Sequence, residues 1–104
     1  VTRILSTDAR THDLDPLRPG FGLAELADLG GAGIGLWEMA PGEDRDTEAD
    51  EVFVVLAGAG TVAFEDGSVL TLAPGVVVRL RAGDRTVWTV TETLRKLYVT
   101  APTG

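Results

Sequence analysis

Between Gly35 and Val99 the chain reads GLWEMAPGEDRDTEADEVFVVLAGAGTVAFEDGSVLTLAPGVVVRLRAGDRTVWTVTETLRKLYV, and this stretch decides the fold. Turn signals punctuate it at Pro41-Gly42, Gly58 with Gly60, Asp66-Gly67, Pro74-Gly75 and Gly83-Asp84. Between them lie short runs rich in Val, Leu, Thr and aromatic residues, the pattern of an all-β sandwich or barrel. Residues 52–56, 61–65, 68–72, 76–80, 86–90 and 94–100 are the expected strands. Asp66-Gly67 between two such runs is a strong hairpin signal, because both residue types tolerate the positive φ of a tight turn. Gly58-Ala59-Gly60 reads as a tight turn. A phosphate loop should open a helix, and strand-like residues 61–65 follow instead.

Working outward, residues 34–39 read as a strand; residues 23–29 could form a short helix by propensity, but a strand that feeds into 34–39 is the preferred reading. Residues 3–5 fit an edge strand. Residues 13–20, with Pro16 and Pro19, read as loop. Of the 104 residues, 44% are hydrophobic, enough for one domain with one core. The expected organisation is a single domain over 1–104, with an N-terminal extension and edge strands in 1–33 and the barrel core in 34–100. No secretory signal is expected, and no apolar run approaches the roughly 20 residues that span a bilayer. The default localisation is cytoplasmic, with no membrane partner. A chain without cysteine has no disulfide framework, zinc–thiolate site or cysteine nucleophile. Nine basic against sixteen acidic residues give −7, which disfavours nucleic acid as a partner.

The order of these pieces resembles the cupin superfamily. The similarity is greatest to small single-domain cupins such as those of ureidoglycine aminohydrolase and the ethanolamine-utilisation proteins. Such domains carry a W-E-x-x-P-G opening, here Trp37 to Gly42, and a Glu seven residues before a Gly, here Glu51 and Gly58. A D-G hairpin follows at Asp66-Gly67, and then a second motif from Leu72 to Gly83. Trp88, Val90, Arg95, Lys96 and Tyr98 close the pattern. The resemblance covers about two-thirds of the chain and implies a single all-β cupin barrel, a double-stranded β-helix or jelly roll. It also implies where metal-binding histidines would stand, and they are absent. The window before Glu51 holds Asp44, Arg45, Asp46 and Thr47; the later histidine position is Thr86. The only histidine, His12, lies outside the motif and reads as a solvated surface residue.

One carboxylate does not hold a transition metal tightly, so neither a metal nor another cofactor is expected. The run Glu43 to Glu51 is acidic, but its spacing fails the EF-hand pattern, with Ala49 and Val55 where Gly and Glu belong. A solvated acidic loop at the barrel rim is the plain reading; a weak metal site on rim carboxylates is the alternative.

Side chains on a strand alternate faces. If Glu51 points inward, so do Phe53 and Val55; if Thr86 does, so do Trp88 and Val90. Only one of Trp37 and Glu38 can face inward. The expected catalytic set is Glu51, Tyr98 and Arg79. Glu51 serves as general acid or base, with Tyr98 and Arg79 stabilising a developing anion. Trp37, Glu38, Phe53, Arg81, Thr86 and Trp88 are the expected substrate-binding set. Each has a plainer role open to it: Glu51 as a structural ion-pair partner, Trp37 and Trp88 as core. The expected function is a metal-independent, small-molecule-binding barrel acting on an organic metabolite by acid–base chemistry of isomerase, cyclase or dehydratase type. A non-catalytic binding or stabilising module is the alternative. A homodimer is the expected assembly, since an exposed sheet edge invites pairing.

Overall fold

The two longest strands organise this computed structural model, which describes residues 3–102. In chain order the elements are β1 (Asp15–Arg18), β2 (Phe21–Leu29), β3 (Ala32–Met39), β4 (Gly42–Thr47), β5 (Glu51–Phe64), β6 (Val69–Leu72), β7 (Val77–Leu80) and β8 (Arg85–Thr100). No helix forms among the described residues. The expected domain bounds, 1 and 104, fall outside them.

β5 and β8 pair antiparallel along most of their length, from Glu51 opposite Thr100 to Phe64 opposite Thr86. Their outer edges carry different neighbours at each end. β3 and β7 flank the end holding Glu51 and Thr100. β4 and β6 flank the other. β2 and then β1 extend the sheet beyond β3. The result is the all-β jelly roll implied by the resemblance. Its core is Met39, Phe53, Val55, Val62, Leu72, Val78, Leu80, Trp88, Val90 and Leu94.

Several expectations need correction. Residues 61–65 do not begin a new strand after a turn at Gly58–Gly60; β5 runs through, with register shifts between Val55 and Gly60. Gly58 has φ +95°, and a Cβ there would strike the Thr93 carbonyl. The glycine therefore lets β5 cross β8 closely, and the strand bends instead of reversing. Residues 86–90 and 94–100 likewise belong to one strand. Residues 13–20 contain β1, which pairs with β2 despite Pro16; proline is tolerated in a strand at a sheet edge. The acidic segment is a loop only over residues 48–50, for Gly42–Thr47 pairs with β8 as β4. Charges are compatible with such an edge position because only one side of the strand is hydrogen-bonded.

Residues 3–5 form no strand. The segment they belong to is instead pinned by Arg95, which donates to the carbonyls of Ala9 (3.0 Å) and His12 (2.8 Å). The same guanidinium pairs with Glu38 at 2.9 Å. His12 is thus half-buried rather than free in solvent, with Nδ1 2.9 Å from the Ser6 hydroxyl.

Candidate functional site

Cross-strand pairing sets which side chains share the barrel interior. Trp37, Lys96 and Val55 lie opposite one another on β3, β8 and β5. One step along come Gly35, Tyr98, Phe53 and Val78, and then Thr100, Glu51 and Leu80. Phe53, Val55, Val78 and Leu80 are core residues, so these rows face inward. The alternate positions face outward, including Glu38, Arg95, Val52, Arg79 and Val99.

At the middle of the interior Lys96 Nζ donates to Glu51 Oε2 at 2.6 Å. The two side chains retain only 7% and 13% of their exposure. Three rings surround the ammonium: its distance to the ring centroid is 4.6 Å for Trp37, 4.6 Å for Phe53 and 4.9 Å for Trp88. The rings touch each other, with Trp88 5.5 Å from Trp37 and 5.6 Å from Phe53 between centroids. Ring faces attract a cation, more so when water is excluded.

Beyond Trp88 lies a second interior carboxylate. Glu48 Oε2 accepts the Thr86 hydroxyl at 2.6 Å and the Trp88 indole N–H at 3.0 Å. Backbone bonds hold Glu48 in place: its N–H donates to the Asp84 carbonyl, and its own carbonyl accepts from Gly83. On the other side Tyr98 lies across Gly35, where a Cβ would collide with the phenol oxygen. Its pKa is raised above the ordinary value, first by burial and then by the carboxylates of Glu25 and Glu51. The phenol is therefore kept neutral and can donate a hydrogen bond.

Of the residues singled out by sequence, Glu51, Phe53, Trp37, Thr86, Trp88 and Tyr98 share the interior. Glu38 faces outward against Arg95. Arg79 also points away, since the buried Val78 and Leu80 flank it on the opposite face. It bonds Asp50 (3.2 Å) and the Leu80 carbonyl (3.0 Å). Arg81 is an exposed residue in the turn before β8, its N–H bonded to Asp84. Neither arginine reaches the Glu51 carboxylate by a hydrogen bond, and Lys96 supplies the interior cation instead. Lys96 and Glu48 are the residues that sequence reasoning missed. Alternation on β8 carried the signal for Lys96, because an inward Tyr98 places Lys96 inward too. Glu48 follows the end of β4, where no alternation applies.

The middle of the barrel is filled by Lys96 and its rings, and open space lies towards the two ends. A hollow of 440 Å³ is lined by Glu25, Asp28, Gly33, Ile34, Tyr98 and Thr100. Another of 660 Å³ is lined by residues including Asp46, Phe64, Arg85 and Thr86. Glu51 itself borders a smaller hollow of 190 Å³ with Asp50, Arg79 and Thr100.

The donor set does not fit a metal ion. Asp44 is engaged with Arg18 at 3.1 Å, and Asp46 accepts the Thr47 N–H. Thr86 serves Glu48, and Glu51 holds the ammonium. Among the described residues no three His, Cys, Asp or Glu side chains gather around one point.

This fold and interior define a cupin barrel. The family profile described as EutQ-like cupin domain matches residues 26–98, and the chain belongs to that family. Among solved structures it is similar to a protein of unknown function from Rhizobium leguminosarum. The two are 30% identical over 81% of this chain and 83% of that one, with a TM-score of 0.73. A putative ethanolamine utilization protein Q from Salmonella typhimurium is 24% identical over 81% and 71% of the two chains, with a TM-score of 0.70. Ectoine synthase from P. lautus shares the fold, at 14% identity over 98% and 78% of the two chains and a TM-score of 0.76. Among curated proteins no match is found. No helix of the described residues is long and apolar enough to cross a membrane.

Proposed function

We propose that the barrel is a metal-independent small-molecule site that moves protons, with Glu51 as general acid or base. Lys96 holds that carboxylate in place, and Tyr98 donates a hydrogen bond to an oxygen of the ligand. Thr86, Trp88, Phe53 and Trp37 form its walls. The observation that carries this is the Glu51–Lys96 pair in the core. Exchanging a buried ion pair for hydrophobic residues of similar volume is often neutral or stabilising, so packing alone does not call for one. A carboxylate beside a cation in a sheltered interior suits proton abstraction and return, the step shared by isomerisation, dehydration and ring closure. The ligand is a small organic metabolite with an ionisable C–H or O–H. Ectoine synthase on the same fold indicates that such barrels accommodate small-molecule chemistry; at its low identity the likeness carries the fold alone.

The test begins with a metabolite screen by thermal shift, since a ligand that binds the folded state raises Tm. A hit is then incubated in D₂O with wild-type protein and with Glu51→Gln. Deuterium incorporation or conversion by wild type, lost in the folded variant, supports proton transfer. Equal turnover by both removes Glu51 from the chemistry.

A second reading, a non-catalytic binding module, draws on the packed interior around Lys96. It predicts saturable binding with no conversion or exchange on prolonged incubation. In either case we propose that the protein works as a homodimer. The support for this is an exposed apolar strip on the outer sheet face, with Val52, Val77 and Val99 at 42%, 66% and 38% exposure. Light scattering after size exclusion tests it: a mass of one chain would oppose dimerisation, and a mass of two would support it.

A further inference from the structure

The positive charge of this barrel is built into the chain. We propose that the Lys96 ammonium is the resident cation of the interior and stands in for a metal ion there. Glu51 is the one residue at a position where the cupin resemblance implies a metal ligand and a suitable donor remains. Its Oε2 lies 2.6 Å from Lys96 Nζ. The other positions are committed elsewhere: Asp44 to Arg18, Asp46 to the Thr47 backbone and Thr86 to Glu48. A divalent ion at Glu51 would have to displace the ammonium or lie beside it against charge repulsion.

The surroundings are also those of an ammonium and not of a metal. Three ring faces stand 4.6 to 4.9 Å from Nζ and present no lone pairs to a dication. An ammonium gains from such faces without coordination. Removing the lysine charge leaves Glu51 buried and unpaired, a destabilised state that a small replacement cation in the vacated space would relieve. This assignment goes beyond the proton-transfer proposal and holds whether or not a substrate is turned over.

Two measurements test it, both by thermal unfolding of the full chain. Wild-type protein is titrated with manganese(II) and zinc(II), with Glu51→Gln in parallel. The assignment predicts no Tm shift dependent on Glu51. A saturable shift at about one equivalent that Glu51→Gln abolishes would overturn it. In the second, Lys96→Ala empties the space between Glu51 and the rings. Ethylammonium chloride is predicted to raise the Tm of this variant saturably by mass action. Sodium chloride at equal ionic strength should not, and the effect should vanish in Lys96→Ala combined with Glu51→Gln. A folded Lys96→Ala protein that does not respond to ethylammonium would overturn the assignment. If Lys96→Ala is unfolded, its refolding yield with and without ethylammonium is the readout, and no gain would overturn it equally.

Discussion

Taking a lysine ammonium and a carboxylate out of water costs several kcal/mol per ion, and good geometry is needed to offset that. Lys96 and Glu51 meet this with a 2.6 Å contact and three ring faces. Breaking the pair from one side should therefore be costly. Lys96→Met is expected to lose about 3 kcal/mol in urea unfolding, because Glu51 is left buried and charged. Adding Glu51→Gln should recover much of that loss, and a simple sum of the two single effects would show that the residues are not coupled. Tyr98 gives a pH signature. Its folded pKa lies above the unfolded value of about 10, so its effect on stability is constant below that pH. Stability should then fall as pH rises from about 10 through the raised pKa, where the unfolded chain ionises first. Tyr98→Phe should flatten that alkaline slope in Tm against pH; an unchanged slope would place its origin elsewhere. Glu51 with Phe53, and Thr86 with Trp88, were legible in the sequence because alternation along β5 and along β8 fixes each pair together. The same rule turns Arg79 outward, since Val78 and Leu80 beside it face in. Glu48 was hidden because a residue beyond the end of a strand has no face assigned by period.

Strand elements follow the turn chemistry where the turn is tight and departs from it where glycine serves contact. Asp66-Gly67 makes the expected hairpin, with Gly67 at φ +90° and the Asp66 carboxylate accepting the Ser68 N–H. Gly58 and Gly60 look like a second turn in sequence, yet both permit close approach of β8 backbone to β5. A Gly58→Ala change should destabilise the barrel by at least about 1–3 kcal/mol from the strained φ alone, read as a fall in denaturation midpoint. A tolerated alanine there would show that the crossing is looser than described. β4 was unreadable for another reason, since its unbroken run of charged residues suits a sheet edge and a solvated loop alike. The N-terminal segment depends on Arg95, which joins Glu38 to the carbonyls of Ala9 and His12. Arg95→Gln should raise amide hydrogen exchange over residues 6–14 while leaving β5 protected. Uniform loss of protection would mean that the arginine supports the whole barrel.

At the scale of the molecule, a jelly roll provides a sheltered interior with few commitments about its chemistry, and function is set by the side chains projected inward. This chain projects two carboxylates, one ammonium, a phenol and a ring cluster. The fold was legible from the order of its turns and motifs, since those reflect backbone demands that many sequences share. The interior was half legible. The missing histidines could be read directly, but the lysine that meets Glu51 lies 45 residues away and becomes its partner only through the β5–β8 register. The most direct measurement is a crystal structure of the protein soaked in manganese(II), with anomalous scattering recorded at neutral pH. The expected result is no anomalous peak inside the barrel and Lys96 Nζ within hydrogen-bond distance of the Glu51 carboxylate. A manganese peak on Glu51, with the Lys96 side chain turned away, would contradict a built-in cation and return the barrel to metal chemistry.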